Sequence, residues 1–319
     1  MNTQDTFIKQ PIFLVGAERS GTTLLRLMLD NHPNLAWCYE FEYAVDLIPD
    51  DNNCWPELGQ YYQWLETHRT FQSTGFTIDS TLDYPSLINS FLLQKQDKAK
   101  KLLVGATVHR HFHRLLRIWP DARFIHIIRD GRDVARSCIG MGWTGNVWTG
   151  IEQWLEAETL WNELEKQLPP NQRMNLTYEE LILDPVKTLK QICNFIGIEY
   201  DEAMLSYPQT TTYSLPDPKM IEQWKRKMSK HDVQLVESRI ASILVERGYK
   251  LSGLPPLKVN FLMRQKIKLQ DWWYRIQFRI NLYSFPLFLS DFFARHLRLY
   301  QWQKSIKLKL NAIENAQLK

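Results

Sequence analysis

Pro11-Ile-Phe-Leu-Val-Gly-Ala-Glu-Arg-Ser-Gly-Thr-Thr-Leu-Leu-Arg26 reads as a buried strand, a tight loop and the start of a helix. The loop is Gly16-x4-Gly21-Thr22-Thr23, the frame of a phosphate-binding loop with one change. A nucleoside-triphosphate loop places Lys after its second Gly, where the ammonium reaches the β- and γ-phosphates. Here Thr22 holds that position, and Arg19 sits inside the loop instead. The free N–H groups of a helix start still point at an anion and carry partial positive charge. The loop therefore suits a phosphate-bearing nucleotide other than ATP or GTP.

A second segment works outward from the first. Phe124-Ile-His-Ile-Ile128 is a strand pattern of β-branched and aromatic residues, followed at once by Arg129-Asp-Gly-Arg-Asp-Val-Ala-Arg-Ser137. Arg132 and Arg136, four apart, share a helix face and read equally well as anion ligands or as solvated charges. Two strand-to-helix anion sites on one sheet could hold two phosphate groups of one nucleotide.

In these two motifs the chain resembles the sulfotransferases that use 3′-phosphoadenosine 5′-phosphosulfate (PAPS), over roughly residues 10–250. The resemblance is to the tyrosylprotein and bacterial carbohydrate-type branch. It implies that Arg19, Ser20, Gly21, Thr22 and Thr23 wrap the 5′-phosphosulfate. Arg129 and Ser137 would bind the 3′-phosphate, and Tyr178 would contact the nucleotide. It also implies transfer of a sulfuryl group to an acceptor hydroxyl, with PAP as product and no metal. Such chemistry needs a base at the acceptor and positive charge at the leaving phosphate. The catalytic set is then Glu40, His109 and Arg19. Counting from Arg19 places Glu40 at the position of a catalytic glutamate, with Glu42 a near neighbour that could face inward instead. Relatives often carry a lysine after the next strand, but this chain reads Val104-Gly-Ala-Thr-Val-His109. His109 is a rival base, or a donor that replaces the lysine. His126, mid-strand in an apolar run, reads as a core histidine.

The predicted strands at 12–15, 102–105, 124–128 and 173–176 alternate with helices, among them 22–30, one running to about 119, 147–167 and 185–196. That order implies an α/β, P-loop-like three-layer fold with a central parallel sheet. Ligands bind such sheets at the carboxyl ends of the strands, where both anion motifs lie. Thr177-Tyr-Glu-Glu180 opens a helix as a capping box. Residues 34–75 are rich in aromatics. Trp37, Tyr39, Tyr43, Trp55, Tyr61, Tyr62 and Trp64 read either as stacking surfaces for sugars or phenols, or as the core of a lid.

Composition sets the frame. The 319 residues are 44% hydrophobic and 23% charged, with net charge +4 and four cysteines that show no metal spacing. That cysteine usage fits a reducing compartment, and no signal peptide or uncharged span of about 18 residues is evident, which predicts a cytoplasmic protein. Residues 251–319 hold twelve Lys/Arg against three Asp/Glu, and the remainder carries net −5. The change begins near Pro255-Pro256. It divides the sequence into a sulfotransferase domain at 1–254 and a basic, aromatic-rich helical C-terminal extension at 255–319. Basic amphipathic helices with Trp and Phe lie at anionic membrane interfaces, or pack on their own protein. The protein could thus be peripheral to a membrane, and homodimer formation is open. No nucleic-acid motif is present.

The expected acceptor is a saccharide hydroxyl, followed by a lipid or small metabolite and then a protein tyrosine. Two other functions compete. One is a P-loop nucleotide kinase or other phosphotransferase, opposed by the missing loop lysine. The other is a basic membrane-surface adaptor, which leaves both anion motifs without a role.

Overall fold

The computed structural model describes residues 7–51, 54–297 and 299–317. Five strands form its sheet: β1 (Ile12–Val15), β2 (Leu35–Glu40), β3 (Leu103–Val108), β4 (Arg123–Ile128) and β5 (Arg173–Thr177). Neighbours are all parallel, in the order β2-β3-β1-β4-β5. Side chains alternate across a strand. Phe13, Val15, Ala106, Val108 and Phe124 therefore face one helical layer, which includes Tyr84–Ala99. Ile12, Leu14, Ile125 and Ile127 face the other, which includes Thr22–Asp30 and Pro185–Ile196. This is the three-layer α/β arrangement expected. The chain leaves β1 toward β2 on one side of the sheet and leaves β4 toward β5 on the other. Adjacent strands β1 and β4 thus flank a topological switch point, where such sheets bind ligands.

The sequence pattern missed β2. Its first four residues are buried on both faces, so they form a continuous apolar run without the alternation that marks a half-buried strand. Trp37, Tyr43 and Tyr61 of the aromatic-rich stretch are fully buried in the core, not surfaces for a sugar. The helix expected up to about residue 119 is a 3-10 segment, Phe112–Arg117, entered through His111 in the left-handed region. The helix expected over 147–167 is broken at Ile151 into Val147–Gly150 and Glu152–Glu165. The capping box at Thr177 and Glu180 is present in full.

Two compact units emerge. The first comprises 1–65, 70–129 and 153–222 and holds the sheet. The second comprises 66–69, 130–152 and 223–319. It contains helices Gly131–Gly140, Lys230–Glu246, Phe261–Tyr283, Phe285–His296 and Tyr300–Gln317. The shift in composition at Pro255 is therefore not where the compact units divide. Helices Gly131–Gly140 and Lys230–Glu246 group with the C-terminal ones. Tyr283, Ala294, Ile306 and Leu310 form a small apolar core there. No helix among the described residues is long and apolar enough to cross a membrane.

Candidate active site

The loop after β1 is fixed by close packing. Gly16 has φ 143°, and a Cβ there would lie 2.3 Å from the Ile127 carbonyl oxygen. Gly21 has φ 96°, and a Cβ there would lie 2.3 Å from the ring of Tyr178. Tyr178 thus lies against the loop, where the resemblance expected a nucleotide contact. Arg19 also adopts a positive φ, 70°, a conformation that costs a non-glycine residue free energy unless its surroundings hold it. Arg129 supplies part of that hold. Its Nη1 donates to the Arg19 carbonyl at 3.2 Å and its Nη2 to the Met220 carbonyl at 3.0 Å. Its guanidinium lies 4.4 Å over the Tyr178 ring, and the Trp154 indole donates to its carbonyl.

What the loop offers is a set of donors. Ser20 is 0% exposed, and its hydroxyl has no hydrogen-bond partner among the described residues. An unmet buried hydroxyl costs about 1–3 kcal/mol, which an anion in the loop would relieve. The helix Thr22–Asp30 begins at Gly21 with no side-chain cap and no acidic residue in its first turn. Its first N–H groups therefore lack the side-chain acceptor that usually covers them. The donor chemistry fits a phosphosulfate.

Thr22 is tied to a second feature. Its Oγ1 lies 3.1 Å from Nε2 of His109, which stands just after β3. The other ring nitrogen, Nδ1, lies 2.7 Å from Oε1 of Glu42. Burial alone would raise the Glu42 carboxyl, but the His109 charge and hydrogen bond hold it below the usual carboxylate range. Burial alone would lower His109, and the Glu42 carboxylate raises it instead. Both shifts favour the charged form of each partner, with Nε2 of the imidazole turned to Thr22. His126, by contrast, is a core histidine, held by Asn175 and Glu158 at 3.0 Å each and stacked on Trp161.

His109 also lines a cavity of about 300 Å³ with Glu18, Arg110, His111, Gln153 and Glu156. Burial pushes the Glu18 carboxyl up, against a partial offset from His109. Sequence reading passed over Glu18. The available signal was an acid next to the arginine of an anion-binding loop, where charge logic disfavours it. Glu40 ends β2, and its Oε2 accepts from the Thr70 hydroxyl at 3.3 Å. The structure thus brings Glu42, His109 and Thr22 into one chain of hydrogen bonds.

In the second unit, neither reading of Arg132 holds. It is 1% exposed, chelates Asp130 through Nε and Nη2 at 2.9 and 2.7 Å, and reaches Glu237 at 2.6 Å. It is a buried structural ion pair. Arg136 donates to Gln223 Oε1 at 2.7 Å. Ser137 lies in the same helix and is partly exposed.

A sequence model of the sulfotransferase family matches residues 11–202. Protein-tyrosine sulfotransferase 1 of Danio rerio is 26% identical over 272 residues, 77% of this chain and 74% of that protein. Protein-tyrosine sulfotransferase A of Caenorhabditis elegans is 26% identical over 213 residues, 62% of this chain and 52% of that protein. The chain therefore spans about half the length of the latter. The solved sulfotransferase domain from the curacin biosynthetic pathway shares the fold at TM-score 0.53 and 18% identity, covering 77% of this chain and 99% of that one. The family match takes in the Gly16–Thr23 loop, His109 and Arg129 together, over more than half of the 319 residues, and on that ground the chain belongs to the sulfotransferase family.

Proposed function

We propose that this protein transfers a sulfuryl group from PAPS to an acceptor hydroxyl. The observation that carries the reading is the loop at the end of β1. It has an unmet buried serine hydroxyl, an uncapped helix start, and Thr22 bonded to His109. PAPS supplies the sulfuryl group and a phosphate able to leave. Arg19, Ser20, Gly21, Thr22 and Thr23 would hold the 5′-phosphosulfate, and Arg129 with Tyr178 would face the nucleotide. Ser137's part in the 3′-phosphate site rests on its place in the sequence motif alone.

His109 takes the role of the missing lysine. Because Nδ1 donates to Glu42, the charged ring has Nε2–H left to donate to Thr22. The Thr22 hydroxyl is then free to donate onward, toward the oxygen that gains charge as the sulfuryl group departs. We take His109, favoured in its charged form and turned to Thr22, as the donor, and a carboxylate as the base. Resemblance points to Glu40. Glu18 is the second reading, because it lines the same cavity as His109 and burial raises its carboxyl toward a useful range.

The cavity sets Glu18, Gln153, Glu156 and Arg110, able to hold hydroxyls, beside Ala157 and Leu160, able to face a ring; a saccharide remains our reading. The relatives named for protein tyrosine favour a tyrosine side chain as the second. All four cysteines are free, which supports a reducing compartment such as the cytoplasm. The test is labelled-sulfate transfer from PAPS to oligosaccharides, tyrosine peptides and simple phenols, with mass spectrometry of products. Phosphoryl transfer from ATP, with no PAP binding, would sink the reading.

A further inference from the structure

Helix Phe261–Tyr283, in the second unit, carries two apolar faces. At about 100° per residue, Ile267, Asp271, Tyr274 and Phe278 share one. That face is the packed one. Ile267 and Asp271 are buried, Asp271 Oδ1 accepts from the Gly145 backbone and the Thr149 hydroxyl, and the Tyr274 hydroxyl donates to Ile139. On the outer side Leu262, Lys266, Leu269 and Trp273 fall at i, i+4, i+7 and i+11, with Trp272 beside them. Leu262 is 77% exposed, Leu269 63%, Trp272 52% and Trp273 55%.

The charges around that face have one sign. All three acidic residues of 251–319 are engaged within the unit. Asp271 holds Gly145 and Thr149, Asp291 holds Arg279 and Arg295, and Glu314 holds Tyr283 and Arg69. Arg264, Lys266 and Lys268 are exposed and have no acidic partner among the described residues. The outer stripe is thus flanked by unpaired cations, with Lys266 on one edge and Arg264 and Lys268 beyond Trp272 on the other.

We infer that the outer face of helix Phe261–Tyr283 docks on an anionic lipid surface. Tryptophan and leucine enter the headgroup boundary, while lysine and arginine stems reach the phosphates. A second copy of the chain is a poorer occupant, because two such faces would bring like-charged rims together. The inference stands apart from the sulfuryl-transfer reading.

The test uses the full chain and vesicles of phosphatidylcholine with or without phosphatidylserine. The protein should co-sediment with the anionic vesicles at low salt, not with the neutral ones, and be released as salt rises. Leu269→Ser with Trp273→Ser should weaken binding by about tenfold or more, since both side chains are exposed and their loss removes inserted apolar area. Lys266→Glu with Lys268→Glu should do likewise. Both variants should melt with the parent, which separates lost docking from lost folding. Three outcomes overturn the inference: no binding at low salt, equal binding by both variants, or a dimer in sedimentation velocity that the serine variant dissolves.

Discussion

Glu42 Oε1 accepts from both the backbone N–H and the ring Nδ1 of His109, at 2.9 and 2.7 Å. One carboxylate oxygen thereby fixes the residue's position and its ring orientation. It also favours the charged ring, since Glu42 raises His109 and is itself held low. The signs set a pH window. Stability from the raised His109 is fully present below histidine's unfolded value of about 6.5 and is lost as pH rises through the folded one. Stability from the depressed Glu42 is present above the unfolded carboxylate value of about 4.3 and is lost as pH falls through the folded one. Thermal stability should therefore be greatest between those limits. If charged His109 serves transfer, kcat/KM should fall on an alkaline limb, and Glu42→Gln should move that limb to lower pH. An unmoved limb would remove His109 from the titration.

The base is separable from the donor. Glu40→Gln should preserve PAP affinity and lower turnover by about 10²–10⁴, the range for general acid–base groups. Glu18→Gln should have that effect instead if the cavity-lining carboxyl takes the proton. His109→Ala should lower turnover as well, and should loosen the loop through Thr22. Single-turnover rates with PAP titrations distinguish these cases. Near-full turnover in both glutamine variants would end the carboxylate assignment.

Local features of the fold and site were legible in sequence. β1, its loop and the helix behind it are contiguous, so pattern and glycine spacing carry them. His126 was readable as core because its strand neighbours are apolar. The Glu42–His109 bond joins residues 67 apart, and only the β2–β3 pairing brings them together. That is why Glu40, the residue reached by counting along the chain, ranked ahead of Glu42. Arg132 misled for the same reason. Its helix position suggested an anion ligand or a solvated charge; one partner, Asp130, is two residues away, but the other, Glu237, lies 105 residues on. Glu18 needed only charge logic applied within the loop.

PAP or PAPS should raise the melting temperature by mass action, and ATP with Mg²⁺ should do so far less. Arg19→Ala and Arg129→Ala should each weaken PAP binding, because a hydrogen bond to a charged group contributes about 1.5–3 kcal/mol. Arg129→Ala should cost more than its own contact, since it also releases the Arg19 carbonyl and the Tyr178 ring. Isothermal titration reads both. Equal stabilisation by ATP and PAP would count heavily against the assigned loop chemistry.

Arg132 gives a prediction of the opposite kind, in stability and not in binding. It is 1% exposed between Asp130 and Glu237, with its guanidinium 3.7 Å over the Trp224 ring. Its Nη2 also donates to the Lys250 carbonyl at 3.0 Å. Removing one member of a buried pair leaves the others desolvated and unpaired, which destabilises by about 3–5 kcal/mol. Arg132→Ala should therefore lower the denaturant midpoint strongly. Arg132→Lys should recover only part of the loss, because an ammonium cannot make the two-pronged contact with Asp130. At temperatures where the variant is still folded, PAP affinity should stay close to that of the parent. A variant that melts normally but fails to bind PAP would show that Arg132 faces the nucleotide after all.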